Sequence, residues 1–215
     1  MYHYSKIIFY SSCLLAGISI QSCSNQAEKN KPLKDSLTTT IRKETKKDPD
    51  AKYQRPPIVN IVDTVTPRSL IIFMKDSAAT YNRISLKLGK IYGAKLPEYI
   101  KKNKLKMVGA PMAWYKKQKA PYFFEAGIPI NKKGIKSVTG VQIRELTAGK
   151  AVIAHFYGPY ELLPVGYDAI KDWMKDNKKT PAAAAYEIYL TDPIDKNGKP
   201  VDPYKIQTDI IFPIK

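Results

Sequence analysis

The sequence predicts an α+β domain made of two successive strand-helix-strand-strand repeats, set behind an export signal and a tether. Three observations carry that prediction. Apolar residues switch between strand and helix spacing in the same order twice. The two halves close on matching tetrads, Gly127-Ile128-Pro129-Ile130 and Ile211-Phe212-Pro213-Ile214. The stretch from Ser24 to about Arg55 is too polar to offset the entropy of ordering it.

At the N-terminus, Lys6 precedes the apolar run Ile7 to Ile20, which Ser11, Ser12 and Gly17 interrupt. The run is short for a bilayer span and suits an export signal. It ends in Ile20-Gln21-Ser22-Cys23, an ending similar to a bacterial lipoprotein box, with Gln21 where a small residue is more usual. Residues 1–22 are therefore expected to be a lipoprotein signal peptide, and Cys23 the acylated N-terminus, carrying palmitate-type chains. The alternative is an uncleaved signal anchor. Residues 23–56 form the tether, a coil that lets the folded part range about 30 Å from the membrane. The expected location is the bacterial cell envelope, facing the periplasm, with membrane contact through the lipid on Cys23.

Residues 57–215 form the folded part, with repeats at about 57–135 and 141–215. In the first, Ser69 to Lys75 reads as a strand, and Tyr81, Ile84, Leu88 and Ile91 fall at helical spacing. Gly89 and Gly93 are poor interior residues and Pro97 suits a first turn, so the helix is expected to be broken or in two parts, its second piece ending near Asn103. Pro111 to Tyr115 and Tyr122 to Ile130 read as strands. In the second repeat Lys150 to Tyr157 is a strand, and Leu163, Tyr167, Ile170 and Met174 line one helix face. Ala184 to Leu190 and Lys205 to Ile214 are its returning strands.

A net charge of +17 would suggest nucleic acid in a cytosolic protein, but an exported one meets little, so no nucleic-acid partner is expected. The runs Lys101-Lys102-Asn103-Lys104-Leu105-Lys106 and Lys116-Lys117-Gln118-Lys119 have little aromatic interleaving. They read as solvated loops; the functional alternative is attraction to anionic headgroups or glycans. Cys13 lies in the signal and Cys23 at its cleavage point, which leaves no disulfide. His155 is the only histidine beyond that point, so zinc and iron–sulfur sites lack their ligands and haem has one imidazole at most. Neither metal nor cofactor is expected.

The candidate chemistry lies in Tyr186-Glu187-Ile188-Tyr189-Leu190. A carboxylate inside an apolar strand must meet water or something that compensates it. Strand alternation puts Glu187 and Tyr189 on one face, with Tyr186, Ile188 and Leu190 on the other. Repeat alignment matches Ala113 with Glu187 and Tyr115 with Tyr189, and assigns Met112 and Trp114 to a helix-covered side. Tyr157, and Phe124 or Glu125, are further candidates whose facing stays open. The competing readings are an ion pair with lysine for Glu187, ordinary packing for the tyrosines, and a hydrogen-bonded structural role for His155.

Gly149-Lys150-Ala151-Val152, Gly158-Pro159-Tyr160, Trp173, Glu187-Ile188-Tyr189 and the closing Thr208 to Ile214, in that order and spacing, resemble the GyrI-like small-molecule-binding domain. The same domain is the effector-binding part of some AraC-type regulators. The resemblance implies a pseudo-twofold pair of repeats with an aromatic-lined cleft between them, often floored by a glutamate that receives cationic aromatic ligands. Glu187 stands in that glutamate's place, and some relatives are hydrolases using a glutamate and tyrosines. The DNA-binding helices of the regulators have no counterpart here. Binding of a small cationic or aromatic molecule by Glu187, Tyr189, Tyr115, Tyr157 and Phe124 is the first expectation. A hydrolase with Glu187 as general base and a non-catalytic envelope interaction module are the alternatives.

Overall fold

The computed structural model describes residues 55–117 and 119–215; the signal, Cys23 and most of the tether lie outside the described residues. The chain enters through β1 (Ile58–Thr66) and turns at Pro67-Arg68 into β2 (Ser69–Ala78). It continues through α1 (Tyr81–Lys90), a π-helical turn (Ile91–Lys95) and α2 (Leu96–Lys102) to β3 (Met112–Tyr115) and β4 (Tyr122–Ile130). The second half repeats the order: β5 (Gln142–Leu146), β6 (Gly149–Tyr157), α3 (Leu163–Asp176), β7 (Tyr186–Tyr189) and β8 (Gln207–Pro213). Pro164 fits the first turn of α3, where its missing N–H has no partner to lose.

These eight strands form one antiparallel sheet in the order β1-β6-β8-β7-β3-β4-β2-β5. The order reads the same from either edge once each repeat is mapped onto the other, and the pseudo-twofold axis falls between β7 and β3. The edge strands are exchanged: β1 precedes β2 in the chain yet pairs with β6, and β5 precedes β6 yet pairs with β2. Each repeat thus completes the other's sheet.

Register shows which face each residue takes, because directly paired residues project to the same side. One face runs Met74, Ala126, Ala113, Glu187, Ile210 and Ala154 across successive strands. Over its first-repeat part α1, the π turn and α2 bury Ile84, Ile91, Tyr92, Leu96 and Tyr99; over its second-repeat part α3 buries Leu163, Tyr167, Ile170 and Met174. Both helical layers therefore cover the same face. Met112, Trp114, Tyr186 and Ile188 pack together on the opposite face, which corrects the helix-covered placement expected for Met112 and Trp114: the returning strands meet at the axis, so their outward residues share one helix-free cluster.

The first-repeat helix is in two parts, its second piece carrying Pro97 in its first turn and capped by Asn103 as expected, but the parts are joined by a π turn and not by a break. Lys90, Ile91, Lys95 and Leu96 all keep right-handed helical dihedrals, and the π turn takes up the irregularity. Nothing lies within 4 Å of a side chain built at Gly89 or Gly93, so neither marks close backbone packing. Gly166 is different. A Cβ there would meet Ile210 Cδ1 at 2.8 Å and Phe156 Cδ2 at 3.0 Å, so its absence lets α3 lie close against β6 and β8.

Candidate functional site

Glu187 sits at the pseudo-twofold axis, paired with Ala113 on β3 and Ile210 on β8. Only 3% of it is exposed. The Tyr167 hydroxyl, brought in by α3, donates to Glu187 Oε1 at 2.9 Å, and the Tyr189 hydroxyl donates to Oε2 at 2.8 Å. Tyr189 and Tyr115, matched by the repeat, meet at 2.9 Å between their hydroxyl oxygens. Because the single proton of Tyr189 is given to Glu187, Tyr115 is the donor to Tyr189, and a relay runs Tyr115 to Tyr189 to the carboxylate.

Further rings close the site. Tyr92 and Tyr160 present their edges to Tyr189, with centroids 6.3 and 5.9 Å away, and Tyr92 is pinned by its hydroxyl donating to Met112 O at 2.7 Å. Tyr81, at the start of α1, is 40% exposed and lies within the field of Glu187. Among the described residues no lysine, arginine or histidine pairs with Glu187.

Burial pushes Glu187 up to about 7, and the hydrogen bonds from Tyr189 and Tyr167 only partly oppose it. Burial, reinforced by the Glu187 charge, holds the hydroxyls of Tyr115 and Tyr189 well above the usual phenol range, so both stay protonated donors. A carboxyl that ionises near neutrality can serve as counter-charge to a cation or as a general base.

The sequence-derived candidates divide. Glu187, Tyr189 and Tyr115 come together. Phe124 lies on the same face and backs the Tyr115 ring at 6.0 Å between centroids. Tyr157 does not join them: Phe156 packs under α3, so alternation turns Tyr157 to the helix-free face. Glu125 also faces that side, bound to Arg144 at 2.6 Å. His155 Nδ1 lies 2.8 Å from Asp209 Oδ1, the hydrogen-bonded structural role allowed for it.

Sequence reasoning did not assign Tyr167, Tyr92, Tyr160, Tyr81 or Thr208 to the site. Tyr167 falls on the buried stripe of α3 with Leu163, Ile170 and Met174, where only its hydroxyl's need for a partner marks it out. Thr208 pairs with Tyr189 across β7 and β8, is fully buried, and its Oγ1 has no hydrogen-bond partner.

The family model of the GyrI-like small molecule binding domain matches residues 109–215, a span that holds Tyr115, Phe124, Glu187, Tyr189 and Thr208. The domain is GyrI-like. The EcmrR C-terminal domain shares the fold, with a TM-score of 0.62 at 19% identity over 74% of this chain and 98% of that one. The EcmrR chain in its DNA complex (EcmrR-RPo) gives a TM-score of 0.61 at 20% identity over 73% of this chain, which spans 57% of that chain's length. SAV2435 bound to tetraphenylphosphonium is a weaker likeness, with a TM-score of 0.46 at 12% identity over 73% of this chain and 94% of that one. At these identities the likeness is one of fold. No curated protein matches the sequence. In the GyrI-like domain described here, the carboxylate belongs to the second repeat alone, with Ala113 in its place in the first.

Proposed function

We propose that the protein is a lipid-anchored component of the bacterial cell envelope whose GyrI-like domain captures a small cationic or aromatic molecule, with Glu187 as counter-charge. One observation carries the reading: a buried carboxylate at the domain's axis, held by tyrosine hydroxyls and paired with no cation among the described residues. Such a group is costly to ionise until a cation arrives, and a cation then meets aromatic faces as well, each worth about 0.5–2 kcal/mol. Because Glu187 is closed off, a ligand that reaches it has to displace rings packed over Tyr189, Tyr160 among them. The membrane part of the reading rests on the sequence around Cys23.

The test is calorimetric titration with tetraphenylphosphonium and with the neutral triphenylphosphine oxide, on the parent and on Glu187→Gln. The cation is expected to bind the parent ten- to a hundredfold more tightly than the variant, with the neutral compound unchanged. It also releases a proton on binding below pH about 7, because a paired Glu187 gives up its proton more readily. Equal cation affinity in parent and variant would refute the counter-charge role.

A second reading is favoured by the same carboxyl standing near 7 beside a relay of two hydroxyls. Glu187 would take a proton from water attacking a reactive small molecule while a tyrosine hydroxyl steadies the developing negative charge. Under that reading Glu187→Gln abolishes turnover and leaves binding nearly intact.

A further inference from the structure

The charge of the folded part is confined to one repeat. Between residues 57 and 140 there are 16 Lys and Arg against 4 Asp and Glu; from 141 to 215 there are 10 against 10. Much of the excess gathers on two segments that the fold places side by side, the one leaving α2 and the one leaving β4. Asn131 N donates to Lys106 O at 3.1 Å, Lys106 N donates to Asn131 Oδ1 at 2.9 Å, and Asn103 and Lys136 exchange bonds of 2.8 and 2.6 Å. Lys101, Lys104, Lys106, Lys132, Lys133 and Lys136 are all exposed there, and none closes an ion pair among the described residues. Glu145, whose carboxyl feels Lys133, is held by Arg68.

Two apolar side chains stand among these lysines. Ile135 is 99% exposed at the tip of Lys132-Lys133-Gly134-Ile135-Lys136, and Val108 is 60% exposed on the neighbouring segment. The projection is built in: a Cβ at Gly134 would collide with the Tyr99 hydroxyl, so the bare glycine lies against α2 and its neighbour Ile135 stands out. A hollow of about 390 Å³, bordered by Val108, Asn131 and Lys133, opens beside it and shares no residue with the Glu187 site.

We infer that this face docks on an anionic phospholipid bilayer, with the lysines over the headgroups and Ile135 entering the interfacial layer. Lysine charge without counter-ions is drawn to such a surface. A fully exposed branched aliphatic ringed by lysines fits a boundary that is charged outside and apolar within. A nucleic acid fits less well, because these segments offer it neither an aromatic stacking platform nor an arginine fork. The inference stands on the folded part and does not require acylation of Cys23.

The experiment uses the full chain with Cys13 and Cys23 replaced by serine and Ile135→Cys carrying an environment-sensitive fluorophore. A local label reads the docking face separately from any adsorption through the apolar N-terminal run. Vesicles containing phosphatidylglycerol are expected to shift the label's emission to the blue and pure phosphatidylcholine vesicles to leave it unchanged. The same label on Asn197→Cys, in the charge-balanced repeat, should stay unmoved. Combined Lys132→Gln, Lys133→Gln and Lys136→Gln should weaken the vesicle response about a hundredfold, with an unchanged thermal melt confirming the fold. No shift at position 135, an equal shift at 197, or a response that survives loss of the lysines overturns the inference. So does a response to a single-stranded oligonucleotide with none to vesicles, which would assign the face to nucleic acid.

Discussion

Replacing Glu187 by glutamine should stabilise the ligand-free protein above neutral pH, and the size of the gain follows from the burial of the carboxyl. Its folded-state value near 7 stands above the ordinary 4.5, a difference worth about 3 kcal/mol. The sign follows from proton linkage. Below pH 4.5 the group is protonated whether the chain is folded or unfolded, and it adds no penalty. Between 4.5 and about 7 the folded state holds a proton that the unfolded state has lost, so stability falls as pH rises. Above that window the full penalty of a buried anion is present. Glutamine keeps the shape and an acceptor for one tyrosine and never ionises. Urea unfolding at a series of pH values should therefore give curves for parent and Glu187→Gln that coincide near pH 4 and separate to about 3 kcal/mol by pH 8. For a domain of this size that is a difference of roughly 6–12 °C in Tm. Taking the difference between the two proteins cancels surface groups such as Glu145 and Asp195, whose carboxyls are held below the ordinary range by Arg68 and by the backbone N–H of Lys199. A pH-independent difference, or a parent more stable than the variant at pH 8, would refute the claim that Glu187 is an uncompensated buried acid.

Tyr167→Phe removes one of the two donors to Glu187 and should raise the carboxyl's apparent pKa further, by about one unit for a bond worth 1.5 kcal/mol; a carbon-13 titration of Glu187 that moves downward contradicts this. Thr208→Val exchanges a buried hydroxyl without a partner for a methyl of the same shape, and should hold or raise stability by up to about 1 kcal/mol in denaturant melts. A loss of stability would mean that the hydroxyl is satisfied in solution. Gly166→Val forces a side chain into Ile210 and Phe156 and should cost about 1–3 kcal/mol, while an unaffected melt would show that α3 does not pack as described. Cys23→Ala should give an unlipidated protein, and intact mass of the membrane form still carrying residues before Cys23 would end the lipoprotein reading.

What could be read from sequence was whatever local periodicity records. The alternation around Glu187 and the helical stripe of Leu163, Tyr167, Ile170 and Met174 have counterparts in the sheet and in the second core cluster. Missing were β1 and β5, because each is completed by the other repeat: Ile58 to Thr66 alternates only weakly and takes its place through pairing with β6. The side of the sheet on which the helices lie was also beyond reach, since alternation distinguishes two faces and does not say which one a helix covers. Tyr157 shows the same limit. Tyr92, Tyr160 and Tyr81 reach Tyr189 and Glu187 from three separate elements, and no spacing within one element reports such convergence.

The placement of the carboxylate on the axis has a physical consequence that duplication alone would not produce. A residue that pairs with its own repeat mate sits about 5 Å from it between Cβ atoms. Had both repeats kept an acid there, two carboxyls would share one buried volume and hold a proton between them, as paired carboxylates do. Ala113 opposite Glu187 avoids this and leaves one negative charge at the centre of a face that is otherwise symmetric in its tyrosines. The two tyrosines are then unequal in role: Tyr189 spends its proton on the carboxylate on its own strand, and Tyr115 spends its own on Tyr189. A cation entering at Glu187 makes the carboxylate the group with most to gain and displaces little that the protein itself supplies. Under the proposed counter-charge role, the asymmetry that departs from the repeat pattern is the feature that would give a symmetric aromatic seam a sign.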